Sequence, residues 1–332
     1  MKIFVFEFIT GGGLRNQPLP ESLANEGELM LKALISDLSQ IPHIELYITR
    51  DSRLPNHYFR KFSHVQLIKI TQYSDIQSIF VDCCYQCDAV WPIAPESDGI
   101  LMNFTRMAED SSTQLLNSET GAVKLTGDKL LTYQQLSRHK IPVVTTQKLS
   151  SFHWIKNGIK VIKPNDGVGC ENCFLVNDQE QLEQAVAFLK HSDDYIIQPF
   201  IRGQAISLSC LFKNGHGWLI CANEQKISIS GRKISLDACN VNIKLANADK
   251  LTDFIDRIAQ AIPGLWGYVG IDLVDIGNDF VLIEINPRLT TSYAGIRRAL
   301  GINVAENVLK LISGEPDMKT IGEVFSIEVQ VK

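Results

Sequence analysis

The sequence predicts an α/β protein of three units, the first of which is built on a doubly wound parallel sheet. In the first third, short apolar runs alternate with stretches whose apolar residues recur at helical spacing, as in strands joined by crossover helices. Near the end, two β-rich runs flank a turn at Gly277, which predicts a hairpin. The 332 residues also exceed the roughly 100–200 that one domain usually takes.

The first unit is predicted to span residues 1–123. A nearly continuous apolar strand at residues 2–8 leads into a glycine turn at residues 11–13, and an amphipathic helix follows at residues 21–39. Further buried strands are predicted at residues 44–49, 65–70 and 89–93. This alternation is the basis for the doubly wound sheet.

The second unit is predicted to span residues 124–202 and to be a small α+β unit. It opens with a helix at residues 127–139, for which Asp128 is the expected N-cap. A glycine-containing loop separates its first two strands. Its predicted strands are residues 160–163, 173–176 and 195–200, with a helix at residues 179–190.

The third unit is predicted to span residues 203–332 and to be rich in strands. Its most informative part is a hairpin that pairs residues 267–275 with residues 280–288 across the turn at Gly277. No internal repeat or low-complexity segment interrupts it.

Charge and hydropathy argue against several classes of partner. The net charge of -5 and the pI of about 5.8 give no basic excess, so we expect no nucleic-acid partner. No apolar run reaches the roughly 18 residues of a membrane span, and Glu7 interrupts the first apolar run, so we expect no signal peptide and a cytoplasmic protein. The oligomeric state stays open, with a homodimer as one arrangement.

The eight cysteines include two C-x-x-C pairs, Cys84 with Cys87 and Cys170 with Cys173. Such spacing is compatible with a zinc site. The second pair lies inside a glycine loop, however, and reduced, buried thiols are the alternative interpretation.

The hairpin carries the residues that predict a metal site. Asp272 lies on its first strand, and Glu284 and Asn286 lie two residues apart on the second, so these two side chains share one face. Their neighbours are apolar, and buried carboxylates need a compensating partner. Two carboxylates beside an amide oxygen suit Mg²⁺ with nucleotide phosphates, and Mn²⁺ is an alternative ion. A hydrogen-bonded structural cluster is the other interpretation.

The loop after the strand at residues 160–163 is a candidate anion site. Lys163 ends the strand, and Gly167 and Gly169 follow it. Glycines let backbone N–H groups approach an anion, and the lysine adds positive charge. The loop matches neither the Walker nor the dinucleotide-binding pattern, and a plain hairpin turn explains it equally well.

Two further segments are informative only in combination with the predicted metal site and the glycine loop. Lys129 at a helix start is unfavourable for the helix dipole unless an anion lies nearby, although an ordinary exposed lysine is the simpler interpretation. Gln198, Phe200 and Ile201 run off a strand between two units, where ligands often bind. A plain linker is the alternative there.

The order of these segments resembles the ATP-grasp superfamily over residues 127–311. The resemblance implies an ATP-grasp fold, with a pre-ATP-grasp domain in front and two α+β subdomains that clasp ATP. It also implies that Lys129 and Lys163 bind the phosphates beneath a lid that contains Gly167 and Gly169. The implied adenine hinge is Gln198, Phe200 and Ile201, and the implied magnesium ligands are Asp272, Glu284 and Asn286.

Two positions depart from the superfamily pattern. Ala205 stands where many members carry a ribose-binding glutamate, and Gly270 stands where some carry an arginine. Arg288, beside the metal strand, is therefore our candidate for stabilising the transferring phosphoryl group.

Three runs resemble more specifically the archaeal-type ATP-grasp branch that includes the tyramine–L-glutamate ligases. They begin at Glu7, Ser22 and Glu284, and the last is the most specific. The resemblance implies that ATP activates the γ-carboxylate of glutamate as an acyl phosphate, which tyramine attacks, in methanofuran-type cofactor synthesis. Thr290, Thr291 and Ser292 are candidates for binding the substrates. A hydroxyl-rich cap of the following helix is the alternative.

Two rival functions stay open. One is a ligase for a different amine or amino acid, and the other is an ATP-binding regulatory protein without turnover. The metal-site residues Asp272, Glu284 and Asn286 argue against the second. An apolar slot near Thr290 would favour an aromatic amine over a peptide or polyamine.

Overall fold

Two β-sheets, each packed with helices, organise the chain. The computed structural model describes residues 1–154, 158–167, 172–189, 191–321 and 325–331. Within them the first sheet has five strands and the second has ten, which confirms the predicted α/β class. None of the helices in these ranges is long and apolar enough to cross a bilayer.

The first sheet contains the strand that begins the chain. Its elements are β1 (Lys2–Glu7), α1 (Glu21–Leu38), β2 (Glu45–Asp51), β3 (Val65–Ile70), α2 (Ile76–Gln86), β4 (Ala89–Ile93), α3 (Ile100–Asp110), β5 (Gln114–Leu115) and α4 (Thr120–Gly127). The strands are parallel in the order β3-β2-β1-β4-β5, as a doubly wound sheet requires. Every residue of β1 from Ile3 to Phe6 is fully buried, which explains its nearly continuous apolar run.

The strand order places a crevice beside β1. The chain moves outward from β1 to β2 and β3, and then returns to β4 on the other side of β1. In such sheets the carboxyl ends of the two strands at the reversal open a crevice that commonly binds ligands. Glu7 ends β1 and Ile93 ends β4, so both lie at this crevice.

The second sheet contains the predicted hairpin. Its elements are α5 (Lys129–Arg138), β6 (Gln147–Lys148), β7 (Lys160–Pro164), β8 (Phe174–Val176), α6 (Gln179–Phe188), β9 (Tyr195–Pro199), β10 (Gln204–Lys213), β11 (His216–Ser230), β12 (Lys233–Ile243), α7 (Leu251–Ala261), β13 (Gly267–Asp275), β14 (Phe280–Asn286), α8 (Tyr293–Leu300), α9 (Val304–Leu311) and β15 (Ile327–Gln330). The order is β14-β13-β10-β11-β12-β8-β7-β9-β6, and β15 pairs with β12. One register pair, Lys233 with Phe174, joins β12 to β8. The predicted second and third units thus share one sheet.

Local sequence signals located several of these elements correctly. The carboxylate of Asp128 accepts a hydrogen bond from the backbone N–H of Leu131 at 2.8 Å, which confirms it as the N-cap of α5. The hairpin of β13 and β14 is antiparallel and sets Asp272 opposite Glu284. The sequence predicted that the third unit is rich in strands, but it did not locate the long strands β10 to β12.

A buried aspartate on α1 ties the first sheet to the helices after the hairpin. Asp37 Oδ2 accepts a hydrogen bond from the Tyr293 hydroxyl at 2.8 Å, and Oδ1 accepts one from Arg297 Nη1 at 2.9 Å. The Asn303 side chain donates to the backbone carbonyl of Asp37 at 2.9 Å. Around these groups α1, α8 and α9 share one apolar core, so the polar cluster fixes how the helices dock.

We predict that Asp37→Ala lowers the free energy of unfolding by about 2 kcal/mol, because it leaves the buried hydroxyl of Tyr293 and the half-buried guanidinium of Arg297 without their acceptor. Urea unfolding would measure the change. Asp110→Ala, at an exposed position at the end of α3, is the control and should stay within about 0.5 kcal/mol of the unmodified protein. Equal losses in the two variants would contradict the role given to Asp37.

Candidate active site

The predicted site residues surround two adjoining cavities. The larger cavity has a volume of about 340 Å³ and lies between β7 to β9 and the strands that carry the hairpin. Predicted residues that line it are Lys129, Lys163, Gly167, Gln198, Phe200, Ile201, Asp272, Glu284 and Asn286. Gly169 lies outside the described residues.

Two lysines converge on one carboxylate in the larger cavity. Lys129 Nζ lies 3.2 Å from Glu284 Oε1, and Lys163 Nζ lies 3.8 Å from Glu284 Oε2. Lys129 Nζ also donates to the carbonyl of Gly167 at 2.6 Å. Lys129 is therefore buried at its helix start, and the interpretation of an ordinary exposed lysine is wrong. The paired ammonium groups suit an anion with several negative charges.

The predicted metal ligands meet at the floor of this cavity. Asp272 Oδ1 accepts a hydrogen bond from Gln225 Nε2 at 3.0 Å, and Oδ2 accepts one from Asn286 Nδ2 at 3.3 Å. Burial raises the pKa of Asp272 to about 7, and the nearby charge of Glu284 adds to the rise. Burial alone would also raise the pKa of Glu284, but Lys129 and the other cations around it lower it. Two half-buried carboxylates beside a buried amide form a donor set that fits Mg²⁺.

Hydrogen bonds within the protein limit which groups of the predicted adenine hinge can contact a base. The side-chain amide of Gln198 donates to the Thr146 hydroxyl at 2.9 Å, and the N–H of Phe200 donates to the Ile159 carbonyl at 3.0 Å. An adenine contact by this segment would therefore use the Phe200 carbonyl and the Ile201 amide.

One wall of the larger cavity was not predicted. Gln225, Ile227 and Ile229 lie two residues apart along β11 and line the cavity together, with Ile234 and Leu236 from β12. Ile227 and Ile229 are 42% and 51% exposed, which is unusual for isoleucine in a sheet. The alternation of residue types in β11 was the available signal, since a period of two places these side chains on one face.

The two departures from the superfamily pattern have local explanations. Ala205 lines the larger cavity, so a small side chain lies there in place of a carboxylate. A Cβ atom at Gly270 would lie 2.5 Å from Cγ2 of Thr290, so a larger side chain there would displace Thr290. Arg288 brings a guanidinium to the same region from the other strand.

The smaller cavity has a volume of about 140 Å³ and shares its floor with the larger one. Residues that line both cavities are Gln225, Leu236, Asp272 and Asn286. From the hairpin side it is lined by Arg288, Thr290, Thr291 and Ser292. From the first sheet it is lined by residues at the carboxyl ends of β1 and β4, among them Glu7 and Ile93. The crevice of the first sheet thus opens onto the predicted metal ligands.

Arg288 is held across the two sheets. Its Nε lies 2.9 Å from Glu96 Oε1 and its Nη2 lies 2.9 Å from Glu96 Oε2, while Nη1 donates to the Leu289 carbonyl at 3.1 Å. Such a two-point contact fixes the plane of the guanidinium. Glu96 follows β4, and no sequence pattern singled it out.

The hydroxyl-bearing residues after the hairpin belong mostly to a buried cluster. Thr290 Oγ1 lies 3.0 Å from the Tyr268 hydroxyl and 2.9 Å from Ser292 Oγ, and the Tyr268 hydroxyl donates to Ser209 Oγ at 2.9 Å. Ser292 makes no side-chain capping bond to α8, so the helix-cap interpretation is wrong for it. Thr291 is half-buried and lines the smaller cavity.

The cysteines are packed as apolar residues. Cys84 and Cys87 are buried, and burial raises the pKa of both thiols to about 11. Cys173 lines the larger cavity, and burial raises the pKa of its thiol too. Within the described ranges, no three His, Cys, Asp or Glu side chains are grouped as a metal site. Cys170 lies outside those ranges.

Known proteins resemble this chain in sequence and in fold. An ATP-grasp domain family matches residues 126–292, and a pre ATP-grasp 3 domain family matches residues 44–123. The tyramine–L-glutamate ligase of Methanocaldococcus fervens is 27% identical over 328 residues, which cover 98% of this chain and 99% of that protein.

Solved structures share the fold over nearly the whole chain. An ATP-grasp superfamily protein from Archaeoglobus fulgidus has a TM-score of 0.73 at 24% identity and covers 99% of this chain and 92% of that one. The biotin carboxylase domain of the Hydrogenobacter thermophilus 2-oxoglutarate carboxylase, solved with MgADP, has a TM-score of 0.70 at 14% identity. That match covers 96% of this chain and 71% of the other.

We predict that Lys129→Met weakens the binding of MgATP about 10-fold to 100-fold. The variant loses one charge-assisted hydrogen bond, and such a bond contributes about 1.5–3 kcal/mol. Titration calorimetry with MgATP would measure it. Lys124→Met, at an exposed position on α4, is the matched control and should bind MgATP as the unmodified protein does. Unchanged affinity in Lys129→Met would remove Lys129 from the predicted phosphate site.

Proposed function

The chain belongs to the ATP-grasp family, and we propose that it is an ADP-forming ligase that joins the γ-carboxylate of L-glutamate to tyramine. The observation that carries the proposal is the shared floor of the two cavities, where Asp272 and Asn286 face a lysine-lined cavity on one side and Arg288 on the other. The full-length similarity to a tyramine–L-glutamate ligase supports the choice of substrates.

ATP occupies the larger cavity in this proposal. Lys129 and Lys163 bind its phosphates, and Gly167 and Gly169 belong to the loop that closes over them. Gln198, Phe200 and Ile201 border the adenine, against the isoleucines of β11. The apolar walls and the lysine pair match the two ends of a nucleotide.

Asp272, Glu284 and Asn286 are the residues that would hold Mg²⁺, or Mn²⁺ in its place. When bound, the ion neutralises charge on the phosphates. The chain contributes the orientation of these ligands through Gln225, which donates to Asp272, and through Lys129, which contacts Glu284.

Ligation takes two steps in this proposal. An oxygen of the γ-carboxylate attacks the γ-phosphorus of ATP, the bond to ADP breaks, and glutamyl phosphate forms. Arg288, fixed by Glu96, stabilises the charge on the transferring group. The amine nitrogen then attacks the acyl carbon, and phosphate leaves with the electron pair of the C–O bond. Because water would hydrolyse the mixed anhydride, the loop must close first. Thr291, which lines the smaller cavity, contacts a substrate, and Thr290 and Ser292 shape the wall behind it.

With this product, the protein would be an enzyme of cofactor synthesis. A γ-glutamyl tyramine is a building block of methanofuran-type one-carbon carriers, and we place the reaction in the cytoplasm, where ATP and free glutamate are available. The same mechanism would serve another amine, and the first experiment distinguishes tyramine from other amines as the acceptor.

The test is ADP release by the purified protein with ATP, Mg²⁺ and L-glutamate, with and without tyramine, followed by the mass of the product. We expect ADP release that depends on both substrates and a product with the mass of glutamyl tyramine. Turnover with a different amine but not with tyramine would contradict the choice of tyramine. A protein that releases no ADP with any amine tried would favour the alternative of a silent ATP-binding protein.

We predict that Glu284→Gln lowers kcat for ADP release at least about 100-fold, because it removes a charged group from the centre of phosphoryl transfer. The rate should recover in part at high Mg²⁺ concentration. Glu315→Gln, at an exposed position after α9, should keep the rate of the unmodified protein. A Glu284→Gln variant with full kcat would exclude Glu284 as a metal ligand.

A further inference from the structure

We propose that the smaller cavity is the acceptor pocket for a primary amine, and that the buried carboxylate of Glu7 binds the ammonium group and accepts its proton. This inference rests on the proposed ligase function, because it places one of the two substrates of that reaction. It assigns a role to a residue of the first sheet, more than 250 positions from the hairpin in sequence.

Glu7 is a buried carboxylate whose hydrogen-bond donors, in the part of the chain that the structure describes, are neutral groups. It is 2% exposed, and its oxygens accept hydrogen bonds from the Ile9 N–H at 3.2 Å, the Thr10 N–H at 2.6 Å and the Thr10 hydroxyl at 2.5 Å. Among the described residues it takes part in no ion pair. A buried carboxylate without a cation is costly, so a ligand that carries an ammonium group would be favoured beside it.

The packing of α1 holds this carboxylate against the cavity. A Cβ atom at Gly27 would lie 2.7 Å from the carboxyl carbon and from both oxygens of Glu7. A larger residue than glycine at position 27 would therefore displace the carboxylate or the helix. Glu7 and Gly27 both line the smaller cavity, so the carboxylate is held at its wall.

The wall of the smaller cavity that contains Glu7 carries a second carboxylate, and apolar side chains line much of the remainder. Glu26 lines the same wall as Glu7, whereas Arg288 lies on the hairpin side. An ammonium group is attracted to the carboxylates of the first wall. The guanidinium of Arg288 is paired with Glu96, and Asp272 lies at the floor that the two cavities share. The apolar lining residues Ile9, Leu23, Met30, Ile93, Ala94 and Pro95 accommodate the carbon skeleton of the amine.

The proton transfers balance without another reactant. The ammonium group gives one proton to the Glu7 carboxylate and becomes a neutral amine. Burial raises the pKa of Glu7, which favours its acceptance of this proton. The nitrogen lone pair attacks the acyl carbon of glutamyl phosphate, and phosphate leaves with the C–O electron pair. The second nitrogen proton leaves with the phosphate, and Glu7 returns its proton to water after product release.

Hydroxylamine separates amine activation from formation of the acyl phosphate. It is small and uncharged at neutral pH, so it traps glutamyl phosphate as a hydroxamate without needing Glu7. We expect Glu7→Gln to lower kcat/KM for tyramine about 100-fold or more, in line with the loss of a general base. Hydroxamate formation and the KM values for ATP and L-glutamate should stay within about twofold of the unmodified protein.

Matched controls address folding and local geometry. Glu45→Gln, at the exposed start of β2 in the same sheet, should leave all these rates unchanged. Gly27→Ala places a methyl group against the Glu7 carboxylate and should lose amide formation selectively, as Glu7→Gln does. Gly121→Ala is its control, because a Cβ atom there meets nothing within 4 Å. Thermal unfolding of each variant shows whether it is folded.

The outcomes are distinguishable. Unchanged amide formation in a folded Glu7→Gln variant would overturn the inference, and so would an equal loss of hydroxamate. A raised KM for L-glutamate in place of tyramine would assign Glu7 to the amino group of glutamate and overturn it as well. An unmodified protein that forms neither hydroxamate nor amide from glutamate would overturn the proposed function itself.

Discussion

The pairing of β13 with β14 is the constraint on which the site depends. Their register sets Asp272 opposite Glu284, two like charges in a buried position, and such a pair is unfavourable without compensation. The chain compensates from several directions, with ammonium groups of Lys129 and Lys163 at Glu284 and side-chain amides at Asp272. Apart from Asn286 on β14 itself, these donors come from α5, β7 and β11, so one pair of strands determines where three other parts of the chain must lie.

A second requirement is that the two sheets keep a fixed relation, because the smaller cavity has walls from both. Arg288 and Glu96 connect the end of the hairpin to the end of β4, and Asp37 connects α1 to α8. Arg288 of the first connection lines the smaller cavity, whereas the second connection lies in the shared apolar core, so the two connections occupy different parts of the structure. A change at Asp37 should therefore alter stability before it alters the position of Arg288.

Local patterns in the sequence predicted the first sheet, the start of α5 and the hairpin, because each depends on residues close together in the chain. Asp272, Glu284 and Asn286 could be grouped for the same reason. The roles of Gln225 and Glu96 depend on pairings between distant strands, which no local period reveals. Likewise, the sequence does not reveal that the hydroxyls of Thr290 and Ser292 bond with those of Tyr268 and Ser209. In the sequence, Gly270 stands where some superfamily members carry an arginine. In the structure, Thr290 packs closely against this glycine.

The two half-exposed isoleucines of β11 have a thermodynamic consequence. In the free protein Ile227 and Ile229 leave apolar surface in contact with water inside an open cavity, at a cost of about 25 cal/mol for each Å². A ligand that covers them removes this cost in the folded state and has no equivalent effect on the unfolded chain. Occupancy of the larger cavity is therefore linked to folding, and the melting temperature of the protein becomes a measure of ligand concentration.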